Sequence, residues 1–128
     1  MKAFTVMIVD DEEDFRNTLA KRLEKRNLRV IKADGGEAAL ALLKQECVDV
    51  VALDVRMQGM DGIEVLRAIK ALNPEIEVVM LTGHASVEAA VQGMDLGAFD
   101  YLMKPVGIDE LVFKLQDAYK ARSIRMKE

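Results

Sequence analysis

Five times along its 128 residues the chain passes from a short, almost unbroken apolar run to a stretch whose apolar residues recur at helical spacing. Thr5-Val6-Met7-Ile8-Val9 precedes Phe15, Leu19 and Leu23. Val30-Ile31 precedes Ala39, Leu40, Leu42 and Leu43, and Val48-Asp49-Val50-Val51-Ala52-Leu53 precedes Ile63, Leu66 and Ile69. Val78-Val79-Met80-Leu81 precedes Val87, Ala90, Val91 and Met94, and Phe99-Asp100-Tyr101-Leu102-Met103 precedes Leu111, Val112, Leu115 and Tyr119. Runs that are apolar at nearly every position belong to strands covered on both faces, as in a parallel sheet with helices on either side. Five such units with short connections predict an open, doubly wound α/β domain, since a barrel needs about twice the length. The punctuation agrees: Gly35-Gly36 stands before the second helix, Asn73-Pro74 ends the third and Gly97 closes the fourth.

Residues 1–128 read as a single domain, with its core at about 4–122 and a basic tail at 123–128 that is either a helix end or the start of a linker. Leu19, Leu23, Ile63, Leu66, Val91 and Met94 are expected in the core, and the eight methionines are expected to fill gaps, although Met57 and Met60 fall in a loop of interest below. A net charge of −4 makes the chain a poor nucleic-acid binder, and no helix has the basic character of a recognition helix. The lone Cys47 excludes a disulfide framework and a zinc cluster; it is expected to be a buried, inert thiol in a reducing, cytoplasmic setting. The lone His84 excludes a multi-histidine metal site. No apolar stretch reaches membrane-spanning length, and Met1-Lys2-Ala3-Phe4 leads straight into a strand-like run, so no secretory signal is expected.

The chemistry-bearing residues stand where the strand runs end. The first run ends in Asp10-Asp11, the third in Asp54, the fourth in Thr82 and the fifth in Lys104-Pro105. In a parallel sheet these ends share one edge, the edge at which open α/β sheets bind ligands. The second run ends near Asp34, on a strand expected at the sheet margin. Three close carboxylates need a proton, a cation or strong donors. Hard oxygen donors in this number suit Mg²⁺, which keeps waters and accepts phosphate oxygens. With a lysine and a hydroxyl beside it, such a site suits a phosphoryl group, and Asp54, between the acidic pair and the Thr82/Lys104 side, is the natural nucleophile. Each piece alone has a plainer explanation. Glu12, Glu13 and Asp14 are expected to cap a helix and complement its dipole, and Asp10 and Asp11 taken alone fit capping as well as a site. Asp54 and Thr82 suit turns, and Lys104 suits a snorkelling edge position. The information lies in all of them falling at strand ends in this order.

From about Phe4 to about Arg122 the chain resembles a response-regulator receiver domain of two-component signalling. The resemblance rests on Ile8-Val9-Asp10-Asp11-Glu12, Leu53-Asp54-Val55-Arg56-Met57-Gln58-Gly59-Met60-Asp61-Gly62, Leu81-Thr82-Gly83-His84-Ala85 and Phe99-Asp100-Tyr101-Leu102-Met103-Lys104-Pro105. It implies a flavodoxin-like five-stranded sheet of order 2-1-3-4-5 with five helices. It implies phosphorylation of Asp54 by a sensor histidine kinase, a phosphotransfer protein or a small phosphodonor. It implies Mg²⁺ held by Asp11, Asp54 and the backbone carbonyl of Arg56, with Asp10 acting mainly through water, and a cis peptide between Lys104 and Pro105. Thr82 would then swing onto the phosphoryl group, Tyr101 would turn inward, and the surface of the fourth helix, fifth strand and fifth helix would change its preference for an effector domain, effector protein or second copy. Such a chain is a signalling phosphoacceptor and not a turnover enzyme. Gln58 replaces a frequent proline and should loosen the loop after Asp54; Gly107 should free the approach to the fifth helix. Arg56 and His84 fall where the family tunes phosphoryl lifetime, and His84 is expected to face solvent.

Other classes fit less well. A flavodoxin-type cofactor binder needs a Ser/Thr/Gly-rich loop after the first strand, where this chain has Asp10-Asp11-Glu12-Glu13-Asp14. A haloacid-dehalogenase-like phosphatase needs an acid two residues after its nucleophile, where Arg56 stands. A pseudo-receiver that only docks or dimerises would usually lack one of the acids, the threonine or the lysine.

Overall fold

The computed structural model describes residues 3–57, 59 and 61–127, except for the side chains of His84 and Lys127. The elements run β1 (Thr5–Val9), α1 (Glu13–Glu24), β2 (Arg29–Ala33), α2 (Gly36–Leu43), β3 (Val50–Asp54), α3 (Gly62–Leu72), β4 (Glu77–Thr82), a 3₁₀ turn (His84–Ser86), α4 (Val87–Asp95), β5 (Asp100–Met103) and α5 (Ile108–Lys127). The strands form one sheet in the order β2-β1-β3-β4-β5. All four pairings are parallel. This is the open, doubly wound arrangement that the alternating periods predict, with the flavodoxin-like strand order that the resemblance implies.

Side chains on a strand alternate between faces, so an unbroken apolar run must feed two cores. Val6 and Ile8 of β1 pack with Leu19 and Leu23 of α1 and Leu111 and Leu115 of α5. Met7 and Val9 pack on the other face with Ala39 of α2, Val65 and Leu66 of α3 and Ala90 of α4. The same split holds for Val50 and Ala52 against Val51 and Leu53. Each large side chain buried this way contributes about 1.5–3 kcal/mol. A one-residue slip of β1, β3 or β4 would exchange its two cores, so the register that aligns the strand ends is strongly specified.

Two glycines are required by geometry. Gly97 follows α4 at φ +103°, the left-handed conformation that ends a helix. Gly62 opens α3 directly against the end of β3: a Cβ there would lie 2.6 Å from the Cα of Val55. The helix is thereby seated tightly under the loop that follows Asp54.

Several expectations are corrected. Leu19, Leu23 and Leu66 are buried and Ile63 is partly buried, but Val91 is 51% and Met94 37% exposed. The inward face of α4 is Ala90 and Gly93, one residue out of step. Small residues let the helix approach closely, and a Cβ at Gly93 would strike the Met80 side chain at 2.4 Å. Cys47 is exposed, in the turn between α2 and β3, while its neighbour Val48 is buried. Glu12 stands at the N-cap of α1 without a capping side-chain bond, whereas Glu13 and Asp14 occupy the first turn as the dipole favours. Residues 123–127 continue α5 as helix. There Arg122 reaches Asp49 at 3.1 Å and Arg125 reaches Glu77 at 3.2 Å, so the basic residues clamp the helix to the sheet's N-terminal edge. Gln58 and Met60, and the side chain of His84, lie outside the described residues. No helix among the described residues is long and apolar enough to cross a membrane.

Candidate functional site

The parallel register brings the predicted residues to one edge. Asp10 follows β1 directly, Asp54 ends β3, Thr82 ends β4 and Lys104 follows β5, and these four strands are neighbours. Asp54 is paired in register with Leu81, and Thr82 with Met103. Asp34 follows β2 at the sheet margin.

Asp10 is 1% exposed and Asp54 6%, while Asp11 is exposed. One carboxylate oxygen from each of Asp10, Asp11 and Asp54 lies within 4.8 Å of the others. Asp10 is held from several sides. Its Oδ1 accepts the Glu12 N–H at 2.9 Å, its backbone N–H donates to the Ala33 carbonyl at 3.1 Å, and its own carbonyl accepts from Arg16 at 2.8 Å. The Oδ1 of Asp54 accepts the Arg56 N–H at 3.3 Å.

Lys104 closes the site from β5. Its Nζ lies 3.3 Å from Asp54 Oδ1 and 3.4 Å from Asp10 Oδ2. The Lys104–Pro105 peptide is cis. The ammonium also stands 4.5 Å from the centroid of the Phe15 ring, a cation–π contact that holds it near the carboxylates. Phe15 and Arg16 are site neighbours that sequence reasoning missed. Phe15 read as one more apolar residue at helical spacing, and nothing local signals that the first turns of α1 fold over the site.

Lys104 pairs with both buried carboxylates, Asp10 and Asp54, and the balance of charge and burial is visible at Asp54. Burial pushes its carboxyl above the ordinary range, and the charge of Asp10 pushes the same way. The charge and hydrogen bond of Lys104 and the Arg56 N–H act against them without prevailing. Three hard carboxylate oxygens converging within 4.8 Å of one another fit a divalent cation of the Mg²⁺ type. Arg56 is exposed in the loop after β3, beside the acids.

Thr82 is fully buried, and its hydroxyl donates to the Gly83 carbonyl at 3.1 Å. Tyr101 is partly buried and packs against the core on the α2–α4 side. The N–H of Tyr101 donates to the side chain of Asp100, which is paired with Lys114 of α5. Thr82 and Tyr101 therefore lie on adjacent strands, between the acids and the α4–β5–α5 surface.

Comparison with known proteins places this geometry. The family model described as response regulator receiver domain matches residues 6–116. The chain is 41% identical over 113 residues, 88% of its length, to the transcriptional regulatory protein ZraR of Escherichia coli, of which the match covers 26%. It is 38% identical over 118 residues, 92% of its length, to the DNA-binding transcriptional regulator NtrC of Salmonella typhimurium, of which the match covers 25%. The crystal structure of a response regulator receiver domain protein from Clostridium thermocellum superposes with a TM-score of 0.91 at 30% identity, covering 94% of this chain and 98% of that one. The chain thus spans about a quarter of the length of these curated relatives. With motifs, topology and strand-end acids all in agreement, the chain belongs to the response regulator receiver domains of two-component signalling.

Proposed function

We propose that the chain is a phosphorylation-activated switch in which Asp54 accepts a phosphoryl group from a sensor histidine kinase, a phosphotransfer protein or a small phosphodonor. The observation that carries this reading is the convergence of Asp54 and Lys104 at 3.3 Å beside Asp10 and Asp11, on the edge that also holds Thr82. A carboxylate oxygen of Asp54 forms a bond to phosphorus while the bond to the donor breaks and its electron pair leaves with the donor. The product is an acyl phosphate. Asp11, Asp54 and the Arg56 carbonyl are the residues that would hold Mg²⁺, with Asp10 acting through water. When bound, the ion offsets charge on the phosphoryl oxygens. Lys104 supplies a second positive charge to those oxygens. The chain acts once per phosphoryl group and is not a turnover enzyme.

The switch follows from a competition. To meet a phosphoryl oxygen, the Thr82 hydroxyl exchanges its bond to Gly83 for a charge-assisted one. Its departure leaves room for Tyr101 to turn inward, and the surface of α4, β5 and α5 then presents a different face to an effector domain, an effector protein or a second copy. The shift can be no larger than the difference in phosphoryl contact energy between the two states. The transcriptional regulators among its relatives suggest an effector that acts on DNA, without direct nucleic-acid contact by this acidic domain, in the cytoplasm. A purely docking pseudo-receiver is disfavoured, because it would have no use for a lysine held among buried aspartates.

Incubation with a small phosphodonor and Mg²⁺ should give an acid-stable, base-labile adduct by intact mass, mapped to the peptide containing Asp54. The same adduct on the same peptide in Asp54→Ala would refute the assignment.

A further inference from the structure

The two carboxylates hold Lys104 loosely. Its Nζ stands 3.3 Å from Asp54 and 3.4 Å from Asp10, both longer than the roughly 2.7–2.9 Å of a charge-assisted hydrogen bond. The backbone end of the residue is fixed, because its N–H donates to the Thr82 carbonyl at 2.8 Å. The four-carbon stem beyond it has many rotamers, and two long bonds select among them only weakly.

The Phe15 ring supplies the missing restraint. Its centroid is 4.5 Å from Nζ, inside the range of about 6 Å over which a ring face attracts a cation. The Lys104 side chain is 26% exposed, so the contact is partly withdrawn from water, where such attraction is stronger. The ring is itself anchored. Phe15 heads the stripe Phe15, Leu19, Leu23 of α1 and packs against the core that α1 shares with α5. The next residue, Arg16, ties this turn to the end of β1 by donating to the Asp10 carbonyl at 2.8 Å. When the ammonium turns to an incoming phosphoryl oxygen, it must give up hydrogen bonds to the carboxylates. Attraction to a ring face is less directional and persists through that exchange. We propose that Phe15 is a positioning residue for phosphoryl transfer, whose ring holds the Lys104 ammonium over the acids while it exchanges carboxylate oxygens for phosphoryl oxygens. This role rests on Asp54 being the phosphoacceptor, and it adds a residue of α1 to a site otherwise built from strand ends.

The full chain is phosphorylated with acetyl phosphate at saturating Mg²⁺ and followed by intact mass. So small a donor has no surface with which to touch α1, so its rate does not report kinase docking. Phe15→Leu keeps an apolar side chain and removes the ring; the second-order rate constant at Asp54 should fall roughly three- to thirtyfold. Phe15→Tyr keeps the ring face and should stay within about twofold of the wild type. If Phe15 acts through Lys104, its loss matters only while the ammonium is present. Added to Lys104→Met, and read over longer incubation, Phe15→Leu should cost less than about twofold, whereas a merely structural defect would cost the same in both backgrounds. In metal-free, unphosphorylated protein the ring current should move the Lys104 Hε signals upfield in the wild type and in Phe15→Tyr, and not in Phe15→Leu. Circular dichroism checks that each variant is folded. An unchanged rate in Phe15→Leu, a loss as large in Phe15→Tyr, or an undiminished loss in the Lys104→Met background would each overturn the role of Phe15 and leave the phosphoacceptor standing. Unshifted Lys104 signals in the wild type would overturn the contact itself. A wild type that takes no phosphoryl group on Asp54 would overturn both the role and the reading beneath it.

Discussion

Lys104 Nζ and Asp54 Oδ1 lie 3.3 Å apart, although 50 residues separate them and their strands are not adjacent. The contact crosses the end of β4 and works against two stronger influences, burial and the charge of Asp10, which together hold the Asp54 carboxyl above its ordinary range. Removing the ammonium removes the counterweight. In metal-free protein the Asp54 side-chain carbon should titrate above the usual aspartate range by NMR, and in Lys104→Ala it should titrate higher still. A Lys104→Ala titration that overlays the wild type would mean that the ammonium exerts no field at Asp54.

The same raised carboxyl has a consequence for stability, whose sign is opposite to that of a salt-bridged acid. The folded state binds the Asp54 proton more tightly than the unfolded state does. The ionised group therefore costs folding free energy at neutral pH, and the cost vanishes as pH falls through the folded-state value toward 3.8 and below. Asp54→Asn removes the charge and nearly keeps the shape. In metal-free buffer at pH 7 its Tm should exceed the wild type's by about 2–5 °C, and the two should converge near pH 3.5. Equal melting temperatures at pH 7 would contradict the account.

Mg²⁺ should relieve the same repulsion. Under saturating Mg²⁺ the wild-type Tm should rise, with stabilisation growing as the logarithm of metal concentration. Asp11 is the exposed member of the acidic triad and the one most open to an incoming ion. Asp11→Asn should weaken Mg²⁺ affinity at least tenfold, read by isothermal titration or by loss of the Tm response, and should change metal-free stability little. An unaltered Mg²⁺ titration would remove Asp11 from the ligand set.

How far the sequence carries these readings differs from place to place. Strand-end acids were legible because a parallel sheet of unbroken apolar runs leaves polar residues nowhere to go but its edges. The order of those edges followed from the resemblance and not from periodicity. The buried face of α4 was not legible, because Val91–Met94 and Ala90–Gly93 share one spacing and hydrophobicity alone favours the larger pair. Close approach to Met80 decides for the smaller pair, and that is a property of the neighbour. Phe15 under Lys104 was hidden for the same reason, since its partner is far along the chain. Cys47 is exposed because it falls in the connection between α2 and β3, and a small apolar side chain carries no signal of its own that separates a turn from the core.

The basic end of α5 is the clearest case of a charge pattern with two explanations. Cations near a helix C-terminus are favoured by the dipole alone. Here Arg122 meets Asp49 at 3.1 Å, and Arg125 meets Glu77, which is 4% exposed and also held by Lys70. If these pairs fasten the last turns, then removing them should loosen those turns and little else. In Arg122→Ala/Arg125→Ala, amide protection at residues 121–126 should fall about tenfold or more, with protection in β1, β3 and β4 changed far less. High salt should move the wild type the same way, because Arg125 is 43% exposed and its pairs are screened. Unchanged protection at 121–126 in the double variant would leave the helix held by propensity and packing, with the arginines as bystanders.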